Sequence, residues 1–98
     1  QIRLVSRQLL SHPADPGMLR LQATIVNRAP RRQAYPEIEV TLFGAGGERV
    51  SSVRFEPKDY LAAGSDRSRG MTPQAYLPLT LDFDDPGNTA VGFEIDFR

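Results

Sequence analysis

The chain contains no cysteine, which excludes disulfide scaffolds, all-cysteine zinc sites and thiol nucleophiles. A single histidine, His12, leaves no material for a histidine-rich metal centre. Charge of one sign is not in excess either. Twelve basic and twelve acidic side chains cancel, so the domain as a whole does not attract nucleic-acid phosphate. No apolar run approaches the ~18 residues that a membrane helix needs, and no basic stretch leads into an apolar one as in a secretory signal. The chain also opens at Gln1 rather than at methionine, which leads us to expect a fragment of something longer.

What remains is one small domain. The 98 residues suffice for a single core and no more. A hydrophobic share of 40% with balanced charge excludes extended disorder.

Alternation with a period of two dominates the sequence. Leu19, Leu21, Ala23 and Ile25 alternate with Arg20, Gln22 and Thr24, Val26 being the exception. Ile38, Val40 and Leu42 repeat the pattern between Glu37 and Phe43, Ala75 to Phe83 gives a third set, and Val91, Phe93, Ile95 and Phe97 a fourth. Such alternation puts one face of each strand inward, and no segment carries a helical stripe. Leu21, Ile25, Ile38, Val40, Leu42, Leu79, Leu81, Phe93 and Ile95 are expected to be buried together.

The strand from Glu48 to Phe55 breaks phase at Val50 and Val53, as a bulge or sheet edge would make it. The opening strand, about Ile2 to Ser11, doubles at Leu4-Val5 and Leu9-Leu10, as a strand that switches sheets would. Pro78 cannot donate to a ladder, so its N–H side is expected to face solvent or a bulge.

Turn chemistry spaces these strands. His12-Pro13-Ala14-Asp15-Pro16-Gly17, Gly44-Ala45-Gly46-Gly47 and Asp84-Asp85-Pro86-Gly87-Asn88 each carry turn formers. Residues 27–34 form a longer connector up to Tyr35-Pro36. Pro57 to Leu61 reads as one helical turn with proline at its start, and Ala62 to Gly70 as a polar crossover loop. The fold class expected is all-β: an immunoglobulin-like two-sheet β-sandwich of six to seven mainly antiparallel strands, a single domain over residues 1–98.

Candidate sites are few. Asp82, Asp84 and Asp85 with Asn88 supply oxygens of the kind calcium takes, but Asp before Pro-Gly is also a turn former and the EF-hand spacing is absent. Arg28, Arg31 and Arg32 occupy one connector, Arg67 and Arg69 another. If the two loops share an end of the sandwich they form an anion-binding patch, for a protein partner or an acidic glycan; an Arg-rich surface, eleven Arg against one Lys, is the plainer reading. Single-stranded nucleic-acid binders add aromatic platforms, and here most Phe positions point inward. Ser11, His12 and Asp15 have the residue types of a hydrolytic triad, but one tight turn does not align them. Asn27 continues the inward face of its strand and is expected to cap backbone groups of the connector. No motif calls for a cofactor.

Several runs resemble a known family. Leu19 to Ala29 resembles the "atvvNra" strand of an uncharacterised bacterial domain of unknown function, and Tyr35 to Leu42 its "yP-levtL" segment. Phe55 to Leu61 is similar to its "f-P-eYl" and Gly70 to Pro73 to its "gm-pg", with Gln74 where glycine often stands. Asn27, Pro36, Pro57 and Tyr60 are the motif positions with structural roles. The resemblance offers no catalytic residues. It implies the C-terminal domain of proteobacterial proteins that begin with a cytoplasmic cysteine zinc ribbon and cross the inner membrane once. The present chain would then be the periplasmic part, anchored before residue 1. The expected function is a non-enzymatic interaction module for an unknown protein partner.

Overall fold

The computed structural model describes residues 1–61, 67–87 and 90–98. Expectations that fall on 62–66 and on Asn88 lie outside the described residues. The elements are β1 (Ile2–Ser11), β2 (Met18–Asn27), β3 (Ile38–Gly44), β4 (Arg49–Phe55), the single helical turn α1 (Pro57–Tyr60), a 3-10 turn (Arg67–Arg69), β5 (Tyr76–Asp84) and β6 (Ala90–Phe97). All strand pairs are antiparallel, in two three-stranded sheets ordered β1-β2-β5 and β4-β3-β6. The core lies between them. Leu21, Ala23 and Ile25 of β2 and Leu79, Leu81 and Phe83 of β5 meet Ile38, Val40 and Leu42 of β3, with Phe55 and Met71. Phe55 and Phe83 pack ring to ring at a 6.2 Å centroid separation.

β1 stays in one sheet, so the described residues form six strands and no seventh. The doubled Leu4-Val5 is a bulge: Leu4 opposes Ile25, Ser6 opposes Thr24, and Val5 is skipped and half exposed. A bulge consumes one residue of phase, and it imitates in sequence the signature of a strand changing sheets. In β4 the skipped residue is Val50, between the pairs Leu42–Ser51 and Phe43–Arg49. In β6 it is Val91, between Phe43–Gly92 and Gly44–Ala90. Val91 therefore leaves the inward row and stands 70% exposed. Pro78 lies on β5, an edge strand, where its missing N–H costs no ladder bond.

Two expected core residues are only half-buried. Phe93 and Ile95 pack against the core from β6, which is an edge strand with β3 on one side only. Alternation tells which way a side chain points; whether a neighbouring strand covers it is a property of topology. Val26, on the outer face, is fully buried yet outside the main cluster, as is Ala29 in the connector that follows.

Leu42→Ala is expected to cost about 2–5 kcal/mol, as for a filled core site. Phe93→Ala should cost less, because its ring is already open on one side. Urea titration of the two variants checks this, and a larger loss for Phe93→Ala would mean that β6 is covered in solution.

Candidate functional site

The two Arg-bearing segments meet. Asn27, the last residue of β2, is fully buried and its side chain is a three-way clasp. Oδ1 accepts the Ala29 N–H at 2.9 Å, and Nδ2 donates to the carbonyls of Arg31 and Met71, both at 3.0 Å. Its backbone is equally engaged: Asn27 N donates to Ala75 O and Asn27 O accepts from Gln74 N. Gln33 and Met71 then exchange both backbone hydrogen bonds in an isolated antiparallel bridge. Residues 28–36 and 69–75 are thus zipped together at one end of the first sheet. Gln1 is there too, its carbonyl accepting the Arg28 N–H at 2.7 Å.

Two backbone positions make this approach possible. Gly70 has φ +72, and a Cβ there would collide with the Gln33 carbonyl, so glycine is required on both counts. Thr72-Pro73-Gln74-Ala75 closes with Ala75 N donating to Thr72 O, and Gln74 has φ +63. Proline second and a left-handed residue third is the arrangement of a type II turn, whose third position favours glycine. Gln74 occupies it without glycine's freedom, and its Oε1 accepts from Arg28 Nη1 at 3.3 Å.

Arg28, Arg31, Arg32 and Arg69 are all exposed. The Arg28 guanidinium also lies over the Tyr76 ring, 5.9 Å from its centroid. The side chain of Arg67 lies outside those described. Pro36 and Tyr60 brace the same connector: Pro36 is buried, and the half-buried Tyr60 hydroxyl donates to the Pro36 carbonyl at 2.6 Å. Burial pushes the Tyr60 phenol well above its ordinary range. Pro57 opens α1, where the Asp59 carboxylate accepts the Glu56 N–H at 2.7 Å.

At the other end of that sheet the sole histidine serves structure. His12 Nδ1 accepts from the N–H groups of Ala14 and Asp15 at 3.1 and 3.0 Å. Its Nε2 lies 3.1 Å from Arg20 Nη2 and 3.4 Å from Asp82 Oδ2. Arg20 holds both Asp82 oxygens, at 2.9 and 3.1 Å. The Asp82 carboxyl is lowered below its ordinary value, first by the Arg20 hydrogen bond. Asp15 Oδ1 accepts from Gly17 N and Asp85 Oδ1 from Gly87 N. His12 and Asp15 thus meet through a main-chain N–H, not as a relay, and the acidic turn residues hold their own turns. Among the described residues no group of His, Asp and Glu is arranged to hold a metal.

A cleft of about 400 Å³ opens between the sheets, lined chiefly by Leu9, Leu19, Leu42, Val91 and Phe93. Beside it Arg7 reaches across from β1, its guanidinium 5.0 Å from the Phe93 centroid. Arg7 opposes Ala23 and so points inward. An inward charge on an edge strand discourages further strand pairing. Neither Arg7 nor the Asp82 pairings were visible in the sequence. The Val5 bulge moves Arg7 into the inward row, and Asp82 lies 62 residues from Arg20.

A family model described as protein of unknown function (DUF3426) matches residues 1–97 of the chain. Neither a curated protein nor a solved structure matches it.

Asn27→Asp keeps the acceptor for Ala29 but turns a carboxylate oxygen on the carbonyls of Arg31 and Met71. The folded state then favours the protonated acid, so the variant should lose stability as pH rises from 4 to 7 relative to the parent. Parallel pH curves for the two proteins would contradict the geometry. Asp82, by contrast, is depressed, so its contribution is present above the ordinary carboxylate range near pH ~4 and fades as pH falls. Thermal melts should show Arg20→Gln least stable relative to the parent at pH 7, with the gap closing in acid.

Proposed function

We propose that this chain, which belongs to the family of proteins of unknown function DUF3426, is a non-enzymatic interaction module that binds another protein. Its place is the periplasmic side of the bacterial inner membrane, as the soluble part of a single-span protein. The supporting observation is the edge of β6. Phe93, Ile95 and Phe97 are only half covered, Val91 is thrown outward by its bulge, and the cleft against Leu9 and Leu19 lies beside them. An edge strand with a half-covered apolar row is a template to which an extended partner segment adds, main chain for affinity and alternate side chains for specificity. Glu94, exposed on the outer side of the same strand, has no ion-pair partner among the described residues and suits a segment carrying a basic residue opposite it. The engagement of His12 by its own turn and by Asp82 supports a role without catalysis.

Site-specific photocrosslinking in the full-length protein tests this. A crosslinker at Val91 should yield a discrete protein adduct in native membranes, and one at Gln22, exposed on the far face of β2, should not. Equal labelling from both positions, or none from Val91, would remove the β6 edge from consideration.

A further inference from the structure

The zero net charge of the chain conceals a separation. At the end of the first sheet built around Asn27, residues 1–3, 26–36 and 67–77 contain no Asp or Glu, and Arg3, Arg28, Arg31, Arg32 and Arg69 are exposed there. At the opposite end, residues 12–19 and 82–87 hold Asp15, Asp82, Asp84 and Asp85, of which Asp82 is paired with Arg20. β2 joins the two ends with ten residues, a span of roughly 30 Å at strand rise. That is about three to four Debye lengths in physiological salt, so the acidic end does not neutralise the cationic one.

Three nearer acids among the described residues are already engaged. Glu37 faces Arg54 at 3.8 Å, Glu56 faces Lys58 at 3.5 Å, and Asp59 accepts the Glu56 N–H. Among the described residues none of the five Arg forms an ion pair. The polarity lies along the axis of β2, and the guanidiniums at one of its poles have no carboxylate partner among the described residues.

Shape then selects the ligand. A small anion is held by donors converging in a concavity, and none of these guanidiniums lines the cleft between the sheets. The cationic end instead presents guanidiniums on a connector and on a sheet rim, with Tyr76 56% exposed beneath Arg28. Arg takes phosphate oxygens in two-point fashion, and an amphipathic aromatic ring sits well at headgroup depth. We propose that this end docks on the anionic phospholipid headgroups of a bilayer surface. Each basic side chain near such a surface raises partition roughly fivefold, so a few Arg suffice for reversible attachment without insertion. Whether or not an anchor precedes Gln1, the Arg28–Gln1 bond places the first residue at the docking face. The surface is separate from the β6 edge, and the two proposals fail independently.

Vesicle sedimentation of the 98-residue chain is the test. Vesicles of phosphatidylcholine containing phosphatidylglycerol should bind it at least ~10-fold better than phosphatidylcholine alone, and added sodium chloride should weaken the binding. Arg31→Ser with Arg32→Ser should lower partition by roughly 10-fold or more without moving the melting temperature, while Arg49→Ser on β4 should leave it unchanged. Equal binding to both vesicles, or full binding by the double variant, overturns the proposal. So does full competition by millimolar inorganic phosphate, which would mark a small-anion site. Tighter capture of an acidic polypeptide such as polyglutamate would assign the end to a protein partner instead.

Discussion

The amide of Asn27 is the constraint on which one whole end of the molecule depends. A primary amide offers one acceptor and two donors on a planar fork, and here the fork meets one N–H and two carbonyls from two separate segments. No other side chain of this size matches that pattern: Asp lacks the donors and Leu lacks both. Because the site is fully buried, any unmatched group would keep its desolvation cost, on the order of 1–3 kcal/mol each. The bonds to Arg31 and Met71 join the connector to the segment that enters β5. Met71 then pairs with Gln33, which brings Gly70 against the Gln33 carbonyl where no Cβ fits. The type II turn through Gln74 completes the closure. The Arg residues carried by these segments are exposed because the polar needs of their backbones are met underneath.

A different constraint governs the open side. Six strands in two sheets leave four edges, and two of them, β1 and β6, approach each other across the cleft without pairing. Arg7 spans part of that gap by laying its guanidinium on Phe93. A charged group at this position keeps water near the core edge and resists casual strand addition, yet its long apolar stem covers carbon. Val5, Val50 and Val91, each skipped at a bulge, show that the edges are also twisted away from simple pairing. These edges are therefore partly guarded, and an extended segment adding to β6 would have to displace or accommodate Arg7.

Much of this architecture could be read from the sequence because its cause is local. Period-two alternation located the strands, and Pro-Gly and Gly-Gly runs located their turns. The break of phase at Val50 pointed correctly to a bulge. The same kind of break at Leu4-Val5 was open to two explanations, since a bulge and a sheet switch shift phase alike; only the register of β2 decides between them. Phe93 and Ile95 show a second limit, because alternation says nothing about which strand lies at an edge. Asn27 could be singled out as a polar residue in an inward row, whereas its partner at Met71, 44 positions on, has no local signature. Gln74 is a further case. The sequence marked it as a departure from glycine, and the left-handed backbone supplies the physical meaning of that departure.

Net charge is the least informative of these readings, since it is a sum and interactions depend on position. The composition shows an electrically neutral domain, and a sum of zero does not say where the charges stand. Antiparallel connection then sorts the charges. Turns that join β1 to β2 and β5 to β6 fall at one end and hold carboxylates, while the connectors leaving β2 and entering β5 fall at the other and hold guanidiniums. Opposite charges about a strand length apart neither cancel nor stabilise each other appreciably in salt. They orient. A domain polarised in this way would turn its Arg-bearing end toward an anionic surface before contact, and the zero sum would keep the attraction from becoming indiscriminate at longer range. Orientation of this kind would leave the β6 edge, on the other sheet, open to the proposed strand addition.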